Sequence, residues 1–296
     1  MNQTLVRTAL KLNAAFSGIS GLFLLFLPDL TGRLIGVGAP LFLQAAGLGL
    51  LIFSMDLLHQ ATRDKVAGWR VLYASVGDFI WVLFSIVGVI LWGSHLTPQG
   101  IFAILAVAAF VLYFGLSQMA GLKKMYYQPK DRSFGYSLRY QSISDADSLW
   151  HIVGNLGAIS QYAPNLASSQ IESIPNDDLP LRACEDTQGN QWRERCTEYD
   201  EDRRRYEVEF LTEEAGFPYP ATWMIGGWQV EQIPDGSEVI VWWKLHPKPA
   251  WLAPVIMAML AFGVDRTFPD VIANMEKQAL SRDPEELANS ADQATA

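Results

Sequence analysis

Residues 71–92 read VLYASVGDFIWVLFSIVGVILW, an apolar run with Asp78 as its one charge. A helix needs about 20 such residues to cross a bilayer. Trp69 and Trp92 bracket the run. At ~1.5 Å per residue they stand roughly 35 Å apart, which suits two interfacial belts. Outward from it lie three more runs, Leu12–Leu27, Leu41–Leu58 and Ile101–Leu122. Pro28-Asp29, Arg63-Asp64-Lys65 and residues 94–100 separate them. Residues 1–122 are therefore expected to form a four-helix transmembrane domain. Arg7 and Lys11 ahead of the first run also suit a signal peptide, but three further runs favour a retained helix.

The whole chain has 296 residues, 50% apolar and 18% charged, below the ~25% charged that is usual. This composition excludes a mainly disordered chain, and two cysteines exclude a disulfide scaffold. The net charge of −9 argues against a nucleic-acid partner. The charge is unevenly spread. Residues 1–122 hold six basic and four acidic side chains, whereas 123–296 hold 16 basic and 27 acidic ones. Arg7, Lys11, Arg63, Lys65, Arg70, Lys123, Lys124, Lys130 and Arg132 all flank one side of the expected bundle. The positive-inside rule then places both termini and residues 123–296 in the cytosol, on a multi-pass protein of the cytoplasmic (inner) membrane.

Polar residues inside the runs carry their own expectations. Ala14, Ser17, Gly18 and Gly21 have small-xxx-small spacing, which lets helices approach closely. Asp56 and Arg70 flank the second loop equally and are expected to pair. Asp78 lies about two turns deeper, where a charge is expensive. It reads either as a proton or ligand site, or as a protonated or hydrogen-bonded acid facing Ser, Gln or Tyr in the bundle.

Beyond a basic connector, 123–133, the pattern changes to a soluble α+β domain, 134–282, with an acidic flexible tail at 283–296. Phe134–Ile143 alternates as a strand. Ser144-Asp145-Ala146-Asp147 has the form of a capping box ahead of a short helix, and Leu156–Tyr162 is a second one. Strands are expected at Leu166–Ile174, Leu181–Asp186, Asn190–Tyr199, Arg204–Leu211, Ala221–Gln232 and Glu238–His246, with turns that include Asn176-Asp177. A long helix follows, about Trp251–Leu280. It is uncharged from Trp251 to Val264, so Met257 or Ala261 is expected to meet lipid, another chain or the membrane helices. Pro269 permits a kink.

Taking Thr187-Gln188-Gly189 as a three-residue hairpin loop with Gly189 left-handed sets a register. Cys184 then faces Trp192 and Arg182 faces Glu194. The inner face becomes apolar and aromatic, with Trp192, Tyr206, Val239, Val241 and Trp243, and Arg182 and Glu194 are its charged exceptions. This pair reads either as the polar anchor of a ligand pocket or as a buried ion pair that fixes the sheet.

The order of elements resembles the SRPBCC, or START-like, superfamily, in the branch of polyketide cyclase/dehydrase and lipid transport proteins. The residues that carry the resemblance are Ser144–Trp150, Tyr162-Ala163-Pro164, Arg182, Trp192-Arg193-Glu194-Arg195, Tyr206, the Val239–Trp243 strand and the long final helix. Leu179-Pro180 departs from the glycine often found before the arginine. The resemblance implies a helix-grip fold, a curved antiparallel sheet around the C-terminal helix, enclosing a hydrophobic cavity. It implies a hydrophobic small molecule or lipid as partner and, in some members, cyclisation or dehydration; Arg182, Trp192, Glu194, Tyr206, Trp223 and Trp243 are expected to bind that molecule.

The four histidines and two cysteines lack metal-ligand spacing, so no metal is expected, nor any cofactor. No nucleotide-binding or hydrolase motif occurs. The expectation is a membrane-anchored START-like domain that binds or transfers a hydrophobic molecule. Its rivals are a cyclase or dehydratase using Arg182 and Glu194, and a structural subunit docking a membrane complex. A homo-oligomer or membrane-protein partner is compatible with each.

Overall fold

The computed structural model describes residues 3–173 and 179–281 and divides into two compact units, Met1–Tyr127 and Gln128–Ala296. The expected Asn176-Asp177 turn, the strand end at Ile174, residue 282 and the tail 283–296 lie outside the described residues.

The first unit contains helices α1 (Thr4–Phe26), α2 (Pro28–Ile35), α3 (Pro40–Thr62), α4 (Gly68–Trp92) and α5 (Pro98–Tyr126). All but α2 are long and apolar enough to cross a membrane. From the sequence, Pro28-Asp29 is expected only to separate the first two runs. Instead Pro28 opens a helix that Gly36 ends at φ 87°. Asp29 in its first turn and Arg33 in its last complement the helix dipole. Thr97 caps α5 by accepting from the Gly100 N–H at 2.9 Å. That helix continues through Lys123 and Lys124 to Tyr126, so the first residues of the expected connector are helical, with both lysines at the favourable carboxyl end.

The small residues of α1 face α3. A Cβ on Gly21 would lie 2.8 Å from the Gly47 carbonyl oxygen, and Ser54 Oγ donates to the Ala14 carbonyl at 2.7 Å. Helix α5 packs on both α1 and α4. Asp56 and Arg70 pair at 3.1 Å.

The second unit is built on an eight-stranded antiparallel sheet of spatial order β1-β2-β8-β7-β6-β5-β4-β3. The strands are β1 (Tyr127–Gln128), β2 (Ser133–Ser142), β3 (Leu166–Glu172), β4 (Leu181–Asp186), β5 (Gln191–Asp200), β6 (Arg205–Phe210), β7 (Ala221–Ile233) and β8 (Gly236–Pro247). Bulges interrupt β3, β5 and β7, and bulges bend strands and raise their twist. Helix α6 (Ala146–Val153) and a 3-10 turn at Leu156–Gln161 join β2 to β3. Asp145 caps α6, its carboxylate accepting from the Ser148 N–H at 2.9 Å. The cap therefore falls one residue after the expected Ser144, whose carbonyl instead accepts from Ser237 Oγ.

Helix α7 (Ala253–Ser281) closes the unit and runs on through Pro269. It lies against β2, β8 and α6. Tyr136 Oη donates to Asp265, and Glu276 accepts from Ser142 Oγ and the Ile143 N–H, each at 2.7 Å. Met257 and Ala261 are buried, and the exposed apolar residues of this segment are Trp251 and Met259. An uncharged helix face thus marks contact along α7, and Met257 and Ala261 sit on its buried side.

Candidate functional site

The β4–β5 hairpin turns at Thr187-Gln188-Gly189 with Gly189 at φ 85°. A β-carbon disfavours that conformation, and glycine carries none. The turn fixes the register Arg182↔Glu194 and Cys184↔Trp192, and strand alternation then sends all four side chains to one face. Arg182 is 5% and Glu194 3% exposed. Arg182 Nε donates to Glu194 Oε2 at 2.9 Å, and its Nη2 donates to the same oxygen. Arg182 Nη1 donates to the Leu156 carbonyl at 3.1 Å. Trp192 Nε1 donates to Glu194 Oε1 at 2.7 Å. Both carboxylate oxygens are therefore engaged. Burial works against the Arg182 charge, but the Glu194 carboxylate outweighs it and holds the guanidinium protonated, with its pKa above the ordinary value.

This cluster forms one wall of a cavity of about 550 Å³ between the sheet and α7. Trp228, Trp243 and Phe268 continue the wall. The Phe268 ring lies 5.7 Å from Trp228 and 4.7 Å from Trp243, edge-on to the latter. From α7, Met259, Leu260 and Val264 face the same space. Tyr219 packs edge-on against Trp192 at 5.6 Å. Tyr219 keeps 38% of its surface exposed; its hydroxyl makes no hydrogen bond among the described residues, and partial burial together with the Glu194 charge pushes its pKa up to about 12. The phenol thus stays protonated and able to donate. Burial likewise pushes the Cys184 thiol up to about 12, which leaves it a poor nucleophile.

Of the six residues expected to bind a ligand, the structure brings Arg182, Trp192, Glu194 and Trp243 to the cavity wall. Tyr206 and Trp223 are not on that wall. Tyr206 is buried on the inner face, off the cavity wall, where it meets Arg182 and packs under α6 against Trp150 at 6.2 Å. Trp223 pairs with His246 and stacks on its ring at 5.0 Å. The bulge between Ala221 and Trp223 sets this phase, so Met224, Gly226 and Trp228 point inward instead. Pairing back from the Pro234–Gly236 turn to the inward Val241 would have found Trp228. Tyr219 sits between Pro218 and Pro220, where no strand alternation exists to orient it. The i, i+4 row Leu260, Val264 and Phe268 was readable as a helix face.

No curated protein matches this chain. Similar solved structures include the Zhui aromatase/cyclase from Streptomyces sp. R1128, with 13% identity and a TM-score of 0.40 over 51% of this chain and 94% of that one. Norcoclaurine synthase from Thalictrum flavum, in complex with dopamine and hydroxybenzaldehyde, shows 14% identity and a TM-score of 0.40 over 51% and 90%. Ara h 8.0201 shows 15% identity and a TM-score of 0.41 over 51% and 99%. Residues 144–279 match the family model described as polyketide cyclase / dehydrase and lipid transport, a span that takes in α6, β3 to β8 and most of α7. The second unit is thus similar, over residues 144–279, to the polyketide cyclase / dehydrase and lipid transport family, on a chain whose N-terminal unit holds four helices long and apolar enough to cross a membrane.

Proposed function

We propose that the second unit binds a hydrophobic small molecule or lipid, and that the four apolar helices anchor it in the cytoplasmic membrane with both termini in the cytosol. The cavity of about 550 Å³ beside α7 carries this reading. Its apolar wall suits a greasy body, and the Tyr219 hydroxyl beside Glu194 supplies a donor for one polar group on it. Tethering raises the effective concentration of the cavity against ligands dissolved in the same bilayer. A docking subunit would need no such cavity. A cyclase or dehydratase needs a side chain that moves a proton, and both Glu194 oxygens are already held by Arg182 and Trp192, which favours binding.

The test is photolabelling of the full chain in native membranes with a diazirine-bearing fatty acid. Label on peptides covering residues 259–268 supports the reading. Label confined to 4–126 rejects it. For orientation, a cysteine at exposed Gln188 is expected to react with an impermeant maleimide only after the cytosolic side is opened. Reaction from outside overturns the topology.

A further inference from the structure

Helices α3 and α4 are joined by a short loop, yet beyond the Asp56–Arg70 pair they scarcely touch. Helix α1 packs on α3 and α5, and α5 on α4. The gap between them is a slot of about 210 Å³ with Phe16, Ser20, Phe53, Tyr73, Asp78 and Trp81 on its walls. It belongs entirely to the first unit and shares nothing with the cavity under α7.

Asp78 is 3% exposed and sits in a closed hydrogen-bonded cluster. Asn13 Nδ2 donates to its Oδ1 and Oδ2 at 3.1 and 2.8 Å, and Gln118 Nε2 donates to Oδ2 at 2.9 Å. Ser17 Oγ donates to Asn13 Oδ1 at 3.0 Å, and Ser75 Oγ lies 3.3 Å from Gln118 Oε1. Ser75 Oγ donates to the Val71 carbonyl at 2.9 Å, and the amide N–H groups of Asn13 and Gln118 are turned to the acid. Every hydrogen bond drawn at Asp78 is donated to it and none is accepted from it, an arrangement that supports the ionised carboxylate against the burial that opposes it. Among the described residues no cation pairs with it. A charge at this depth without a counter-ion is costly, and the slot opens on the same carboxylate.

We propose that this slot binds a small organic ammonium ion, with Asp78 as counter-charge and the rings of Phe16, Phe53, Tyr73 and Trp81 around the cation. Aromatic faces attract ammonium groups through their quadrupole. A bare metal ion fits poorly, because a hard cation takes about six or more oxygens and the wall offers only Asp78, Ser17, Ser20 and Tyr73. The ammonium group belongs either to a free amine or to an aminolipid headgroup.

The test is calorimetric titration of the full chain in a non-ionic maltoside detergent with benzylammonium, and with benzyl alcohol as neutral isostere. Benzylammonium is expected to bind at least tenfold more tightly than the alcohol. Asp78→Asn is expected to abolish that difference. Ser20→Phe fills the slot from outside the hydrogen-bonded cluster and is expected to abolish binding of both. Competition by added phosphatidylethanolamine assigns the site to a lipid headgroup, and its absence to a free amine. Equal binding of the two probes overturns the proposal, as does undiminished binding in Ser20→Phe. A dimer that Ser20→Phe dissolves, with no amine bound to wild type, also overturns it. If Asp78→Asn does not fold, Ser20→Phe decides alone.

Discussion

Glu194 in the sheet unit and Asp78 in the helical unit are equally withdrawn from water, each 3% exposed, but their partners differ in kind. Glu194 meets a full positive charge, and Arg182 spends three donors around it and Leu156. Asp78 meets only side-chain amides, drawn from α1 and α5. In the sheet unit one cross-strand register delivers acid and base together, so the pair is local and self-contained. In the helical unit the partners are 65 and 40 residues away, and the cluster exists only when three helices have docked. A buried acid therefore ties down a hairpin in one unit and reports helix packing in the other. Each lies beside a cavity, which makes the pair of sites a controlled comparison.

The largest effect is expected from Arg182→Ala. It leaves a buried carboxylate unpaired, a change that costs about 3–5 kcal/mol. The joint change Arg182→Leu with Glu194→Leu is expected to cost less, because no charge is left stranded. Unfolding followed by near-ultraviolet circular dichroism of the full chain measures both. A loss below about 1 kcal/mol for Arg182→Ala removes the contrast.

Asp78→Ala comes next. Hydrogen bonds between membrane helices are worth about 0.6 kcal/mol on average, so the summed loss is expected to be about 1–2 kcal/mol in SDS-titration unfolding, below that for Arg182→Ala. An equal or larger loss means that the amide cluster holds its unit as firmly as the ion pair holds the hairpin.

Gly263→Ala is expected to stabilise α7 by about 1 kcal/mol, the helix-propensity difference. A Cβ there meets nothing within 4 Å. No gain in melting temperature would show that the backbone at 263 must deform in the folded unit.

The smallest effect concerns Asp131. Hydrogen bonds from Ser133, and then Lys244, pull its pKa from the ordinary 3.8 to about 2. The native state thus binds fewer protons than the unfolded chain in this window, so its contribution to stability is present above about pH 4 and fades as pH falls towards 2. Asp131→Asn is expected to flatten the melting temperature slightly between those values. An unchanged slope removes Asp131 from the acid response.

How much was readable varies with how local the determinant is. Gly189 marked one left-handed position, and from it the register of β4 and β5 and the meeting of Arg182 with Glu194 followed by counting. Tyr206 was correctly set on the inner face, but its place under α6 depends on Trp150, which counting along a strand cannot supply. Trp223 shows the limit of alternation, since one bulge reverses the phase of the residues on its two sides. In the membrane unit, hydrophobicity gave the four long helices and the depth of Asp78. The helix rotations that aim Asn13 and Gln118 at it come from tertiary packing. The short helix α2 was hidden because Pro28, read as a break, also opens helices.

The central claim is that the space under α7 holds a hydrophobic molecule, and Gly263 gives the most direct access to it. Its α-carbon borders the cavity, and a side chain there would grow into open space. The measurement is native mass spectrometry of the full chain released from detergent, with wild type, Gly263→Ala and Gly263→Phe purified in parallel. The account predicts a lipid-like adduct on wild type and Gly263→Ala that is absent from a folded Gly263→Phe. An adduct retained in full by folded Gly263→Phe, or no adduct on any of the three even after incubation with a fatty-acid mixture, would contradict it.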